Sequence, residues 1–234
     1  MSEKAQDLWK RFCDRMKIAA DSVHQFDSDK TLRVGVREVG SRSRRVLLKR
    51  SPEMEVMVIE AANQLEHDWR GDGDFDGLIY LMFHRDSDEN IIPLYVGKTE
   101  TLGKGAGNLS ANIENISSTN KGKFARWGDG YQYHIGDLSA VVLGHPDKYR
   151  TEKYKDWANA LFTDFPVYSP KLPKLRRPVY FWIKPWKKND IGPWEGFGPT
   201  NLTFLEYLLI GVASSAYPET VLNKEGQNRR CDVV

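Results

Sequence analysis

The chain has little cysteine, no long apolar run, and no internal repeat or low-complexity tract. Its 234 residues include two cysteines, Cys13 and Cys231, near opposite ends and without metal-ligand spacing. A disulfide-stapled scaffold is thereby excluded, and a reducing, cytoplasmic setting is the expectation. No apolar stretch reaches the ~18 residues of a membrane-spanning helix, so no membrane partner is expected. The first segment reads as a charged helix rather than a signal peptide. What is present points to a packed fold: 40% hydrophobic residues and seven tryptophans suit one large domain, or a smaller one with insertions.

The net charge of +2 excludes little, but its distribution is uneven. Residues 33–50, "RVGVREVGSRSRRVLLKR", carry seven basic residues against the single acid Glu38. Residues 171–188, "KLPKLRRPVYFWIKPWKK", carry seven basic residues and no acid, interleaved with Tyr180, Trp182 and Trp186. Such stretches fit phosphate-backbone contact with aromatic support, and equally fit solvated strand faces. The candidate DNA contacts are Arg42, Arg44, Arg45, Lys49, Arg176, Arg177, Lys187 and Lys188.

Apolar spacing predicts an amphipathic helix within 2–24, then strands within 31–50 broken at Gly40-Ser41. Ser51-Pro52, followed by Glu53 and Glu55, reads as the start of a helix running to about Trp69. "GDGDFDG" (71–77) reads as a joint; its acids lack the glutamate that would close a calcium loop, so no metal is expected there. Leu78–Phe83 and Ile91–Val96 then read as hairpin strands across the polar link 84–90, with Gly97 ending the second and Lys98-Thr99 leading out of the sheet. Further along, the pattern predicts a short helix at 109–116 and a strand within 131–143. Beyond those come a helix at 151–162, a strand at 179–183 and a helix at 204–216. In that last helix Thr203 and Glu206 have capping-box spacing, which gives Glu206 a structural reading beside any chemical one.

Ile79-Tyr80, then Tyr95-Val96-Gly97, an arginine further on, the helix-borne Glu206 and a later Asn223 together resemble the GIY-YIG nuclease superfamily. The resemblance spans residues 77–223, with insertions. The first motif is Leu78-Ile79-Tyr80, with Gly77 one place early, and Tyr80 and Tyr95 stand 15 positions apart. The family arginine falls at Arg126, displaced by an insertion, in a layout similar to the superfamily's Type II restriction endonucleases. Tyr131, Tyr133 and His134 all compete to accompany it.

The resemblance implies an α+β fold: a small mixed or antiparallel sheet flanked by helices. It divides the chain into an N-terminal extension (1–76), a nuclease-like core (77–223) and a tail (224–234). It also implies a metal-dependent endonuclease on double-stranded DNA, with restriction the first reading and a structure-selective repair nuclease or an inactive nucleic-acid-binding relative the others. Glu206 would hold Mg2+ or Mn2+, and Arg126 would clamp the scissile phosphate. Tyr80 would act as general base or orient water, with Lys98 and the metal helping its hydroxyl, and Tyr95 would position water and phosphate. Asn223 would hold the constellation by hydrogen bonds. One site per chain would favour a homodimer for cutting both strands.

Overall fold

The computed structural model of the protein describes residues 2–40, 44–105 and 107–228. Arg42 and Cys231 lie outside them. In chain order the elements are α1 (Ser2–Arg15), α2 (Ile18–Asp21), β1 (Val23–His24), β2 (Val36–Val39), β3 (Arg45–Leu48), α3 (Pro52–Arg70), β4 (Phe75–Arg85), β5 (Ile91–Glu100), α4 (His134–Val142), α5 (Glu152–Leu161), β6 (Tyr180–Lys187) and α6 (Leu202–Ala216). The fold is α+β. A four-stranded sheet in the order β1-β6-β4-β5 is antiparallel throughout, and β2 and β3 form a separate hairpin.

Side-chain alternation along β4 generates two cores, one on each sheet face. Leu78, Tyr80 and Met82 join a cluster with Val58 of α3, Leu138 of α4 and Trp157 of α5. Ile79, Leu81 and Phe83 join the other, with Trp9 and Phe12 of α1 and Leu205 and Leu209 of α6. Residues before 77 feed both: β1 pairs with β6, and Phe26, Val34, Leu48 and Met54 sit in the first cluster. The free Cys13 is buried in the second. Among the described residues no helix is long and apolar enough to cross a membrane.

Several expectations are corrected. The first helix breaks at Lys17, whose φ of 53° is left-handed and cannot continue it. Gly97 does not end β5, and Lys98 and Thr99 remain in the sheet, paired with Ile79 and Leu78. Residues 109–116 form turns rather than a helix, and 131–143 hold α4 rather than a strand. His84 and Arg85 belong to β4, not to the solvated link. Arg176 and Arg177 lie in a bend, not on the following strand. Asn201, not Thr203, caps α6: its side chain accepts from the Phe204 N–H at 2.9 Å. That cap leaves Glu206 outside the capping role. The α3 start is as the sequence implies, with the Ser51 side chain accepting from the Met54 N–H at 3.0 Å and Pro52 in the first turn.

Candidate active site

Tyr80 and Tyr95 lie on the same face of the hairpin, because Tyr80 pairs with Gly97 and Tyr95 with Met82. Their ring centroids are 6.3 Å apart. Gly97 is required here for space. A Cβ at that position would stand 2.5 Å from the Tyr80 ring and 2.6 Å from its hydroxyl. The tip of the Tyr80 ring therefore lies against Gly97 of β5, the edge strand. Helix α6 packs on the opposite sheet face, so the two tyrosines do not look squarely onto it. The Glu206 charge nevertheless acts on the Tyr80 hydroxyl.

Asn223 holds the edge itself. Its Oδ1 accepts from the Val96 N–H at 3.0 Å and its Nδ2 donates to the Val96 carbonyl at 2.8 Å. The Leu222 N–H adds a bond to the Leu94 carbonyl at 2.7 Å. The backbone groups that an edge strand would leave open are thus satisfied between the two site positions, Tyr95 and Gly97.

His134 opens α4 and sits between Trp127 and Trp157, at centroid distances of 4.6 and 5.1 Å. Its Nε2 lies 3.3 Å from the Tyr80 hydroxyl and its Nδ1 2.8 Å from the Tyr154 hydroxyl. Burial, then the cations of Lys153 and Arg126, hold the imidazole well below its usual pKa, so it is neutral at pH 7. Of the three candidates for Arg126's companion, His134 is the one bonded to Tyr80. Tyr133 lies under Arg126, its ring centroid 5.4 Å from the guanidinium carbon. Tyr131 belongs to a different group: it stacks on Tyr149 at 3.6 Å and meets His145 Nδ1 at 3.2 Å.

Arg126 ends a 3-10 turn, Phe124–Arg126, in which all three residues have positive φ. For non-glycine residues such a run costs about 1–3 kcal/mol each, and it persists only where the surroundings enforce it. Phe124, Ala125 and Trp127 are buried while Arg126 projects into solvent. A buried ion network enforces the turn. The Arg50 guanidinium lies 4.5 Å from the Phe124 ring, donates to the Trp127 carbonyl, and pairs with Asp129 and Glu55 at 3.2 Å each. Arg37 pairs with Asp129 at 2.5 Å, and Lys121 pairs with Glu55. Further along, Gly136 lets α4 pack directly on this loop, since a Cβ there would meet the Gly130 carbonyl oxygen at 2.0 Å.

Burial and Tyr95 hold the Tyr80 hydroxyl well above the ordinary tyrosine pKa; Glu206 and Tyr154 add to this, and Arg126 opposes it. Burial and Glu206 push Tyr95 up to about 12, again against Arg126. The ammonium of Lys98, the residue expected to help the Tyr80 hydroxyl, is held by Glu100 and by Thr203 Oγ1 at 2.9 Å. It also acts on Glu206. Burial raises the Glu206 carboxyl above its usual range, Glu100 and Glu225 add to it, and Lys98 and Lys153 pull it down.

Among the described residues, no group of three or more His, Cys, Asp or Glu gathers as a metal cage. A hard divalent cation that keeps most of its waters needs less, and one half-buried carboxylate can anchor it. Glu206 suits that: it is half-buried, its carboxylate makes no hydrogen bond or ion pair with the described residues, and burial is the main cause of its raised pKa. No protein-family model, curated protein or solved structure matches the chain.

The basic stretches are largely occupied. Arg44 pairs with Glu38 at 3.4 Å and Lys49 with Asp27 at 3.0 Å, while Arg45 lies 4.6 Å from the Tyr131 ring centroid. Arg176 donates to the Asn159 carbonyl, Lys188 to that of Gly73, and Lys187 lies 3.8 Å from Asp74. Arg177 alone of the described candidates is exposed with no hydrogen bond or ion pair to the described residues. Sequence reasoning missed Lys153, Tyr154, Trp127 and Trp157. The α5 pattern held one signal: Lys153 and Trp157 stand four apart, on one helix face.

Proposed function

We propose that the chain is a divalent-cation-dependent endonuclease of the GIY-YIG type acting on double-stranded DNA, with restriction as its first assignment. The observation that carries this reading is the Tyr80–His134–Tyr154 hydrogen-bonded chain beside the unpaired Arg126 and Glu206.

Phosphodiester hydrolysis forms a bond from water oxygen to phosphorus and breaks the bond to a sugar oxygen. The water loses a proton and the departing oxygen gains one. With Nδ1–H of His134 donating to Tyr154, the neutral Nε2 accepts the Tyr80 O–H. The lone pairs of the Tyr80 oxygen then face away from the imidazole and can accept a hydrogen bond from the attacking water, whose proton leaves to solvent while solvent water protonates the departing sugar oxygen. Because burial disfavours the phenolate, Tyr80 orients the attacking water rather than storing its negative charge. Arg126 offers a two-pronged clamp for the phosphate oxygens. Tyr95, on the same face, positions the phosphate against that water. Glu206 would hold a hard cation, which when bound neutralises the charge developing on the phosphorane.

Incubation with plasmid and phage DNA plus Mg2+, followed by sequencing of fragment ends, tests this. Ends at one short sequence would establish restriction, ends at branches or flaps would favour repair, and intact DNA at every cation tried would overturn the reading. A Tyr80→Phe variant that still folds should lose cutting, because the hydroxyl is the only part of Tyr80 the proposed chemistry uses.

A further inference from the structure

Lys153 lies in the first turn of α5, where the helix macrodipole disfavours a cation. It is half-buried, and its ammonium sits 5.0, 5.3 and 5.4 Å from the ring centroids of Tyr95, Tyr154 and Trp157. Elsewhere in the described chain, Lys49, Lys98, Lys121, Lys155 and Lys224 each end on a carboxylate. Lys153 makes no such pair with the described residues. Arg126, held over Tyr133, makes none either.

The two cations flank one histidine: Lys153 lies over Tyr95, whose ring centroid is 5.2 Å from that of His134, and Arg126 lies over Tyr133, the residue before His134. Burial and Arg126 both lower the Lys153 ammonium, while Asp137, Glu206 and Glu225 oppose this without pairing with it. Both cations also push down His134, which lies between the Tyr80 and Tyr154 hydroxyls. Two like charges held on aromatic platforms without a counter-ion are unfavourable until an anion joins them.

We propose that Lys153 and Arg126 form a two-cation subsite for one phosphate group, with Lys153 over Tyr95 as the point-charge partner of the Arg126 fork. The assignment rests on the nuclease reading for its biological ligand, a DNA phosphodiester, but phosphate binding itself does not depend on cleavage. A planar guanidinium takes two oxygens and the ammonium takes a third, so the phosphate is fixed in orientation as well as position. The two cations would then stabilise the extra negative charge as the phosphorane forms.

The test is a titration of the intact protein with inorganic phosphate at constant ionic strength, read by tryptophan fluorescence, since Trp157 lies directly under Lys153. Wild type, K153Q, K153R and K155Q are compared, Lys155 being paired with Glu152 on the same helix. Saturable binding by wild type and K155Q, weakened at least about tenfold in K153Q and restored in K153R, is expected from loss of one charge-assisted contact. The same order should appear in the salt slope of duplex binding, with K153Q lower by about one counterion. Equal phosphate affinity in wild type and K153Q, or no saturable response in wild type, would overturn the subsite. Phosphate binding without DNA cleavage in Mg2+ would instead overturn the nuclease reading and leave the subsite standing.

Discussion

Arg50 and Arg126 sit on either side of one short loop, and their guanidinium groups meet opposite conditions. Arg50 is shut away from solvent and matched by Asp129, Glu55 and the Trp127 carbonyl. Arg126 projects from the same loop over Tyr133 with no carboxylate near enough to pair. The first arrangement is electrostatically closed, so it can hold a strained backbone but has little to offer a ligand. The second is open, and so are its neighbours Lys153 and Glu206. The paired charges thus support the loop, and the open charge it carries, Arg126, is left available to a ligand.

The largest effect should come from breaking the closed set. Arg50→Met removes the cation shared by Glu55 and Asp129, each left with one remaining partner, Lys121 and Arg37. Leaving these two carboxylates each one cation short costs roughly 3 kcal/mol. The melting temperature should fall by about 6–12 °C at 2–4 °C per kcal/mol for a chain of this size. An unchanged melting temperature would show that the strained Phe124–Arg126 turn is held by something else.

Asn223→Ala should come next. It strips both bonds from the Val96 backbone and leaves a buried N–H and C=O without partners, a loss of about 1–3 kcal/mol. Hydrogen exchange at Val96 should quicken well beyond that at Leu81, its β4 partner. Equal protection of the two would mean that the edge needs no clamp.

How far these regions are legible in the sequence follows the same division. The hairpin, α3, α5 and α6 announce themselves through periodicity, caps and flanking turns. α4 does not, because all nine of its residues are buried and a helix without a polar face has no amphipathic signature. Gly97 reads locally as a strand terminator, and only the Tyr80 ring lying over it explains the glycine. Arg50 reads as one charge in a solvated basic run, since its partner Asp129 is 79 positions away. Lys153 is only faintly legible, through its spacing of four from Trp157, because what marks it most is the lack of a partner, and that is known only once the chain is folded.

Tyr131→Phe should do less, and only to stability. It loses the contact with His145 but keeps the ring stacked on Tyr149 and under Arg45. One neutral hydrogen bond is worth about 0.5–1.5 kcal/mol, so a small drop in melting temperature and full cleavage activity are expected. A loss of cleavage with the fold intact would return Tyr131 to the site and displace His134 as the partner of Tyr80.

Glu206→Gln should have the smallest effect on stability, and its sign separates an open site from a closed one. The carboxyl caps nothing and pairs with nothing among the described residues, so its replacement should shift stability by less than about 0.5 kcal/mol at neutral pH. Burial raises its pKa in the folded chain above the unfolded value. Its stabilising contribution is therefore fully present below the unfolded pKa and is lost as pH rises through the raised one. At pH 7 the charge is a mild burden, and the Gln variant should melt at the same temperature as wild type or slightly above it. As pH falls through the glutamate range, wild type should gain on the variant. Added Mg2+ at pH 7 should bring a similar gain by another route, since a cation bound to the folded state alone raises its stability. Wild type should then gain melting temperature with Mg2+ while Glu206→Gln does not. If Mg2+ stabilises both equally, Glu206 is not the carboxylate that holds the cation.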